Sequence, residues 1–363
     1  MGQQERIKEI TTPLLCWYAK NKRELPWRED KNPYHIWISE IMLQQTRVEA
    51  VKGYYARFLE RLPGVVDLAG VSEEKLMKLW QGLGYYNRAR NLKKAAEIIV
   101  QEYGGRFPGE YSGLLKLPGI GEYTAGAVAS IAFGERVPAV DGNVYRIYTR
   151  LSADSSDITQ GKVQKRIRGD MAEAVPQECP GEFNQALMDL GAVICLPNGA
   201  PLCTDCPVQK WCLANKTGDM SLFPYKPQKK KRKIQDRTVF LIEYQGKYLI
   251  QQRPGKGLLA GLWEFPAQEG RLSAEQIKPF LEEWDADFDE IELLGSGKHI
   301  FSHVEWHMLG YLVHLRKLPK KLQEGMVFST VGQIQEKYSI PSAFSVYLKE
   351  IFARSEKGEV LQE

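Results

Sequence analysis

The feature that most limits how this chain can fold is a change of hydrophobic period near residue 217. Before it, apolar residues recur at helical spacing: Ile7, Ile10, Leu14 and Trp17, then Val48, Val51, Tyr55 and Phe58. Ser72, followed by Glu73 and Glu74, reads as an N-cap with acids in the first turn. A further helix, Asn91 to Tyr103, should stop at Gly104–Gly105. After residue 236 the period becomes two. "RTVFLIEY", Gln245–Gly246 and "KYLIQQR" read as a hairpin, and "HIFSHVEWHMLGYLVHL" adds one or two strands. Helical patterns return near Ser273–Trp284 and Pro341–Phe352. Between the two regimes, "PYKPQKKKRKIQDR" holds seven basic residues against one acid, the composition of a solvated linker that can also attract phosphate. The expected architecture is a mostly α domain over 1–216, a basic linker over 217–236 and an α+β domain over 237–363, with no internal repeat.

A chain of 363 residues can bury two cores, and 43% apolar with 26% charged residues excludes wholesale disorder. A net charge of +4 neither demands nor excludes a nucleic acid. No apolar run approaches the ~20 residues of a membrane span, and the N-terminus "MGQQERIKEI" is unlike a signal peptide. A cytoplasmic protein without a membrane partner is expected. Six cysteines in that setting do not suggest disulfides. Four of them, Cys195, Cys203, Cys206 and Cys212, form C-x7-C-x2-C-x5-C, a spacing open to tetrahedral zinc or a [4Fe–4S] cluster. Cys16 is expected in the core, and Cys179 has no assignment.

"LLKLPGIGEYTAGAVASIAFG" reads as helix, hairpin turn, helix. Gly119 and Gly121 permit positive φ and leave no Cβ in the way of a ligand, while amides at the next helix N-terminus suit a phosphate. A tight turn between packed helices is the plainer reading. Gly126, Ala127, Ala129 and Ala132 allow close packing. Asp141, before Gly-Asn-Val, suits an N-cap, and a helix N-terminus favours its ionised form. Glu40, in "WISEIMLQQTRV", is either a surface residue of an amphipathic helix, which periodicity favours, or a partly buried acid with raised pKa. Two carboxyls are the usual equipment for breaking a glycosidic bond.

The hairpin string resembles the helix-hairpin-helix of DNA repair glycosylases, with Asp141 at the distance where that superfamily carries its aspartate. "LPWRED…NPYHIWISEIMLQQT" resembles the N-terminal signature of adenine DNA glycosylases of the MutY type. The resemblance implies that Glu40 is the general acid protonating adenine at N7, that Asp141 stabilises the cationic sugar, and that Asn143 positions the catalytic groups and water. It implies that Leu25, Trp27 and Arg28 wall the adenine pocket, that Gln45 and Tyr85 penetrate the base stack, and that Gly119 and Gly121 meet the DNA backbone. Endonuclease III-type relatives carry lysine where this chain has Tyr123. A phenol cannot form a Schiff base, so a monofunctional enzyme leaving an abasic site is expected. The same branch keeps a [4Fe–4S] cluster after its catalytic domain, although the first cysteine gap here is one residue longer than usual.

"GLLAGLWEFP" and the strands around it resemble the Nudix-like C-terminal domain of that family. The segment after Pro266 lacks the Arg-Glu and Glu-Glu pattern that binds Mg²⁺, so nucleotide hydrolysis is not expected. The matching lesion-reading loop is Phe301, Ser302 and His303; without the resemblance these are a β-turn. The reading is a monomeric base-excision glycosylase removing adenine opposite 8-oxoguanine or guanine in double-stranded DNA, at the nucleoid in a bacterial cell. The alternatives are a thymine or other mismatch glycosylase of the superfamily and a non-catalytic Fe–S protein that senses damage.

Overall fold

The structure is a computed structural model and describes residues 2–228, 231–283, 287–319 and 322–360. Lys229 and Lys230 of the basic linker, and the Trp284 end of the expected helix at 273–284, lie outside the described residues. The chain forms two compact units, one of Met1–Gly70 with Arg90–Gln228, the other of Val71–Ala89 with Lys229–Glu363.

In chain order the helices are α1 (Gln3–Glu9), α2 (Thr11–Asn21), a 3-10 turn at Pro26–Arg28, α3 (Pro33–Leu43), α4 (Val48–Arg61), α5 (Val65–Gly70), α6 (Glu73–Trp80) and α7 (Asn87–Tyr103). They continue with α8 (Tyr111–Leu114), α9 (Glu122–Phe133), α10 (Gly142–Ser152), α11 (Gly161–Ala174), α12 (Pro180–Val193) and α13 (Leu213–Thr217). The first unit contains all of these but α6 and the first residues of α7. Its core gathers Leu14, Val144, Ile147, Phe183, Leu187 and Leu190, where α12 packs on α2 and α10. Cys16 is exposed on α2, contrary to expectation: its neighbours Leu14 and Tyr18 take the buried stripe.

Two helices carry the centre of this unit. α3 starts where Asn32 accepts the Tyr34 amide at 2.9 Å and Pro33 occupies the first helical position. From Ile36 to Met42 every side chain is buried, so α3 has no polar face. α9, packed against α3 and α12, is made of small residues for a steric reason. A Cβ on Gly126 would stand 2.2 Å from the Pro138 carbonyl oxygen, so the strand-like segment after α9 can pass only over a glycine. The hairpin before α9 uses its glycines differently from expectation. Gly119 has φ +78°, and a Cβ there would meet Asn91 at 2.6 Å. Gly121 has φ −90°, in the extended region, and serves as the α9 N-cap with open space around it.

The second unit is built on β1 (Lys233–Tyr244), β2 (Lys247–Gln252), β3 (Trp263–Glu264), β4 (Ala267–Glu269), β5 (Asp287–Ile300), β6 (Val304–Lys317) and β7 (Met326–Thr330), with α14 (Ala274–Glu283), α15 (Val331–Lys337) and α16 (Ser345–Val360). The mixed sheet runs β3-β2-β1-β6-β5, with β4 on β1 and β7 on β2; β1 and β6 are parallel. β1 buries both faces: Val239 and Leu241 meet Trp306 and Tyr347, while Phe240 and Ile242 meet Ile277 and Val313. Gln245 (φ 49°) and Gly246 (φ 75°) close the expected two-residue hairpin with paired left-handed residues. Lys233–Asp236, read from composition as linker, are strand and pair with Val304–His307. α6 belongs here too: Lys78 Nζ reaches the Tyr338 carbonyl at 3.0 Å and Gln81 Nε2 the Ile340 carbonyl at 2.8 Å. Among the described residues no helix is long and apolar enough to cross a membrane.

Candidate active site

A cleft of about 580 Å³ in the first unit is lined by residues from the 3-10 turn, α3, α9, α10 and α12. Glu40, in the buried Ile36–Met42 stretch of α3, is 5% exposed, so the surface reading favoured by periodicity is wrong. The reason is that α3 is covered on all sides, and an all-round apolar helix carries no amphipathic signal. The Tyr123 hydroxyl, one residue into α9, donates to Glu40 Oε2 at 2.5 Å. Burial pushes the Glu40 acid up to about 7; the Tyr123 bond and Arg28 pull it down, and Asp141 adds to the rise.

Asp141 caps α10 as expected. Its Oδ1 accepts the Asn143 and Val144 amides, both at 2.9 Å, and its Oδ2 accepts Asn143 Nδ2 at 2.7 Å. Burial raises its pKa, against the pull of those three bonds and of Arg146. The two buried carboxyls are thus unequal. Asp141 has three donors aimed at its oxygens and Glu40 has one, so the anionic form is better supported at Asp141 than at Glu40. Asn143 is itself held: Arg146 Nη2 donates to its Oδ1 at 2.8 Å and to the Gly191 carbonyl at 2.7 Å. A Cβ on Gly191 would lie 2.5 Å from Asn143 Cβ, so α12 approaches α10 this closely only through glycine.

Leu25, Trp27 and Arg28 line the same cleft, as does Gln45 at its exposed end. Trp27 is buried edge-on against Tyr55 at 5.5 Å. Gln45 holds a left-handed backbone, φ 61°, just past the α3 C-terminus. Gly119 and Gly121 lie on the hairpin and do not line the cleft. The remaining candidates belong to the second unit. Tyr85 is exposed, again with positive φ (47°), and its hydroxyl lies 3.1 Å from Ser302 Oγ. Ser302 and His303 are exposed in the β5–β6 turn, whereas Phe301 packs its ring against His299 and Trp306 at 4.6 and 4.8 Å.

Asp189 was not anticipated from the sequence. It is fully buried on α12 and accepts both Arg28 Nη atoms at 2.8 and 2.9 Å and Arg23 Nε at 2.7 Å. The available signal was a lone acid in the apolar run "ALMDLGAV". Tyr123's neighbour Met188 and the lining residues Gln185 and Ile131 carried no such mark.

Cys195, Cys203, Cys206 and Cys212 line one almost wholly apolar pocket, with Ile147, Leu151 and Val208 between them. Among the described residues no three His, Cys, Asp or Glu side chains converge as a single metal ion requires. Four thiols around one pocket are a donor set that a metal ion or an iron–sulfur group can use. Buried Arg150 lies beside them, its Nη1 3.2 Å from Cys195 Sγ.

Comparison with known proteins agrees with this geometry. Residues 38–171 match the HhH-GPD superfamily base excision DNA repair protein family, and residues 238–350 match the NUDIX domain family. The human adenine DNA glycosylase is 37% identical over 362 residues, covering 82% of this chain and 66% of the relative. The adenine DNA glycosylase of Buchnera aphidicola subsp. Acyrthosiphon pisum is 34% identical, covering 86% of this chain and 88% of the relative. Among solved structures, a thermostable thymine-DNA glycosylase (TM-score 0.53, 31% identity) covers 59% of this chain and 98% of its own. An endonuclease III trapped covalently on DNA (TM-score 0.51, 25% identity) covers 60% and 99%. Fold and cleft together define a base-excision DNA glycosylase of the helix-hairpin-helix class, extended by a Nudix-like second unit. Within that class, the chain belongs to the adenine DNA glycosylase family.

Proposed function

We propose that the enzyme hydrolyses the N-glycosidic bond of adenine mispaired with 8-oxoguanine or guanine in double-stranded DNA and leaves an abasic site. The observation that carries the reading is that two carboxyls line one cleft in unequal surroundings, Glu40 accepting one bond from Tyr123 and Asp141 accepting three. Adenine leaves poorly as an anion, so a proton delivered to N7 from Glu40, whose pKa of about 7 keeps it available near neutrality, lowers the barrier. As the bond breaks, positive charge develops on the sugar, and the Asp141 carboxylate offsets it. Asn143 holds the Asp141 carboxylate in place, and water adds at the sugar carbon. Tyr123 keeps the Glu40 carboxyl in one orientation and, having no amine, leads to no Schiff base or strand cleavage.

The base must leave the duplex first, at a cost of a few kcal/mol. Gln45 and Tyr85, both exposed with left-handed backbones, suit wedges that enter the vacated stack, while Leu25, Trp27 and Arg28 suit the wall around the base. Gly119 and Gly121 leave the hairpin amides open to a phosphate. Ser302 and His303 offer hydrogen bonds to the opposite 8-oxoguanine, with Phe301 as the buried anchor of their turn. Cys195, Cys203, Cys206 and Cys212 hold a [4Fe–4S] cluster whose contribution is to fix the 195–223 segment. A monomer suffices for all of this, in the compartment that holds the DNA.

Glu40→Gln tests the reading on A·8-oxoguanine, A·G and T·G duplexes, with alkali cleavage of abasic sites as the readout. The expected result is that adenine is released by the native enzyme and retained by the variant, which still binds DNA. Release by the variant at the native rate, or preferential release of thymine from T·G by the native enzyme, overturns the assignment.

A further inference from the structure

Asp189 is a buried acid that is not among the residues lining the cleft, yet it organises one of its walls through Arg28. Both of its oxygens are used. Oδ2 takes Arg28 Nη1 at 2.8 Å and the Arg23 amide at 3.1 Å; Oδ1 takes Arg28 Nη2 at 2.9 Å and Arg23 Nε at 2.7 Å. A bidentate fork of this kind fixes the guanidinium plane as well as its position. The Arg28 guanidinium also meets the Arg23 carbonyl, at 3.3 Å from its Nη1, and the Tyr18 ring, 5.8 Å from its centre. The group is two cations sharing one anion, a net charge of one beside the catalytic acid.

We propose that Asp189 is a positioning residue: it locks Arg28 as a wall of the base pocket and neutralises part of the positive charge facing Glu40, so that Glu40 retains its proton. The proposal deepens the reading of Glu40 as general acid and rests on it. The charged or titratable groups facing Glu40 are Tyr123 from α9, Asp141 from the start of α10 and Arg28 from the 3-10 turn. Of these, only Arg28 can strip the proton by charge, because a cation favours the carboxylate. Asp189, clamped to Arg28, opposes it. Removing the Asp189 charge leaves two uncompensated guanidinium groups; removing Arg23 instead leaves a neutral pair.

Opposite signs give the test. The single-turnover rate of adenine excision is measured against pH for the native protein, Asp189→Asn, Asp189→Glu and Arg23→Gln, with Glu40→Gln as reference. Asp189→Asn should move the alkaline fall of the rate to lower pH, by on the order of one unit. Arg23→Gln should move it to higher pH, and Asp189→Glu should restore the native position even if the rate is lower. A merely structural role would change rates without moving the limb. If Asp189→Asn does not fold, Arg23→Gln and Asp189→Glu still decide the matter, since half-exposed Arg23 is a milder site. Limbs unmoved or moved in the same direction by Asp189→Asn and Arg23→Gln overturn the proposal. An active Glu40→Gln variant overturns the acid assignment instead, so the two failures are distinct.

Discussion

Gly191→Ala perturbs Asp141, the aspartate proposed to face the sugar, from outside the cleft, and the structure supplies the size of the effect. The added methyl would stand 2.5 Å from Asn143 Cβ and 3.0 Å from its Cγ, with ordinary contact beginning at 3.4 Å. Asn143 or the α12 backbone must therefore retreat by about 0.9 Å. A retreat of that size stretches the 2.7 Å bond from Asn143 Nδ2 to Asp141 past hydrogen-bonding range. It also disturbs Arg146, which bridges Asn143 Oδ1 and the Gly191 carbonyl. A hydrogen bond to a charged group contributes about 1.5–3 kcal/mol, so losing it where Asp141 meets the cationic sugar should slow excision roughly 10- to 100-fold. Overpacking costs about 1–3 kcal/mol of stability, from which the gain of alanine over glycine in a helix, about 0.5–1 kcal/mol, is subtracted. The assay is single-turnover excision on A·8-oxoguanine duplex, paired with urea unfolding of the same preparation. A variant as fast and as stable as the native protein would show that Asn143 has room to give without leaving Asp141, and the steric argument would fail.

Five further outcomes follow from the same geometry. Glu40→Gln should reduce excision by about 10²- to 10⁴-fold, the usual contribution of general acid catalysis, measured by alkali cleavage under single turnover. In the native protein the rate should fall as pH rises through about 7, because only protonated Glu40 can donate. The folded-state pKa of Glu40 lies above its ordinary 4.5, so the folded state binds a proton that the unfolded chain releases between about 4.5 and 7. Stability contributed by this group is lost as pH rises through that window, and Glu40→Gln should raise Tm at pH 8 but not at pH 4. Ser302→Ala should narrow the preference for A·8-oxoguanine over A·G while leaving excision at A·G within about twofold, read from the ratio of the two rates. If the four cysteines hold the proposed [4Fe–4S] cluster, Cys206→Ser should abolish its visible absorbance and lower Tm, since four ligands would cross-link residues 195–212 to one another.

How much of this was legible before folding differs from residue to residue. Local signals were reliable. Ser72 caps α6 by accepting the Lys75 amide at 3.3 Å, Asp141 caps α10, and Gln245–Gly246 turn the β1–β2 hairpin. Each depends on backbone within a few residues, which the sequence specifies directly. Gly121 was misread because a glycine's permission to adopt positive φ is not a requirement to do so; only Gly119, pressed against Asn91, needs it. Cys16 was misread because one position's shift around a helix separates core from solvent.

The sequence by itself determined the two regimes of period, the cap and turn positions, the cysteine spacing and, through motif resemblance, which carboxylates to watch. Only the tertiary structure decided what those carboxylates are chemically. Glu40 has its acid pushed up to about 7 because the Ile36–Met42 stretch of α3 is buried, whereas three donors converge on Asp141. Asp189, 161 residues from Arg28, could be found only once α12 lay against the 3-10 turn. Burial and charge pairing are sums over neighbours brought together from distant parts of the chain, and no local window of sequence contains them.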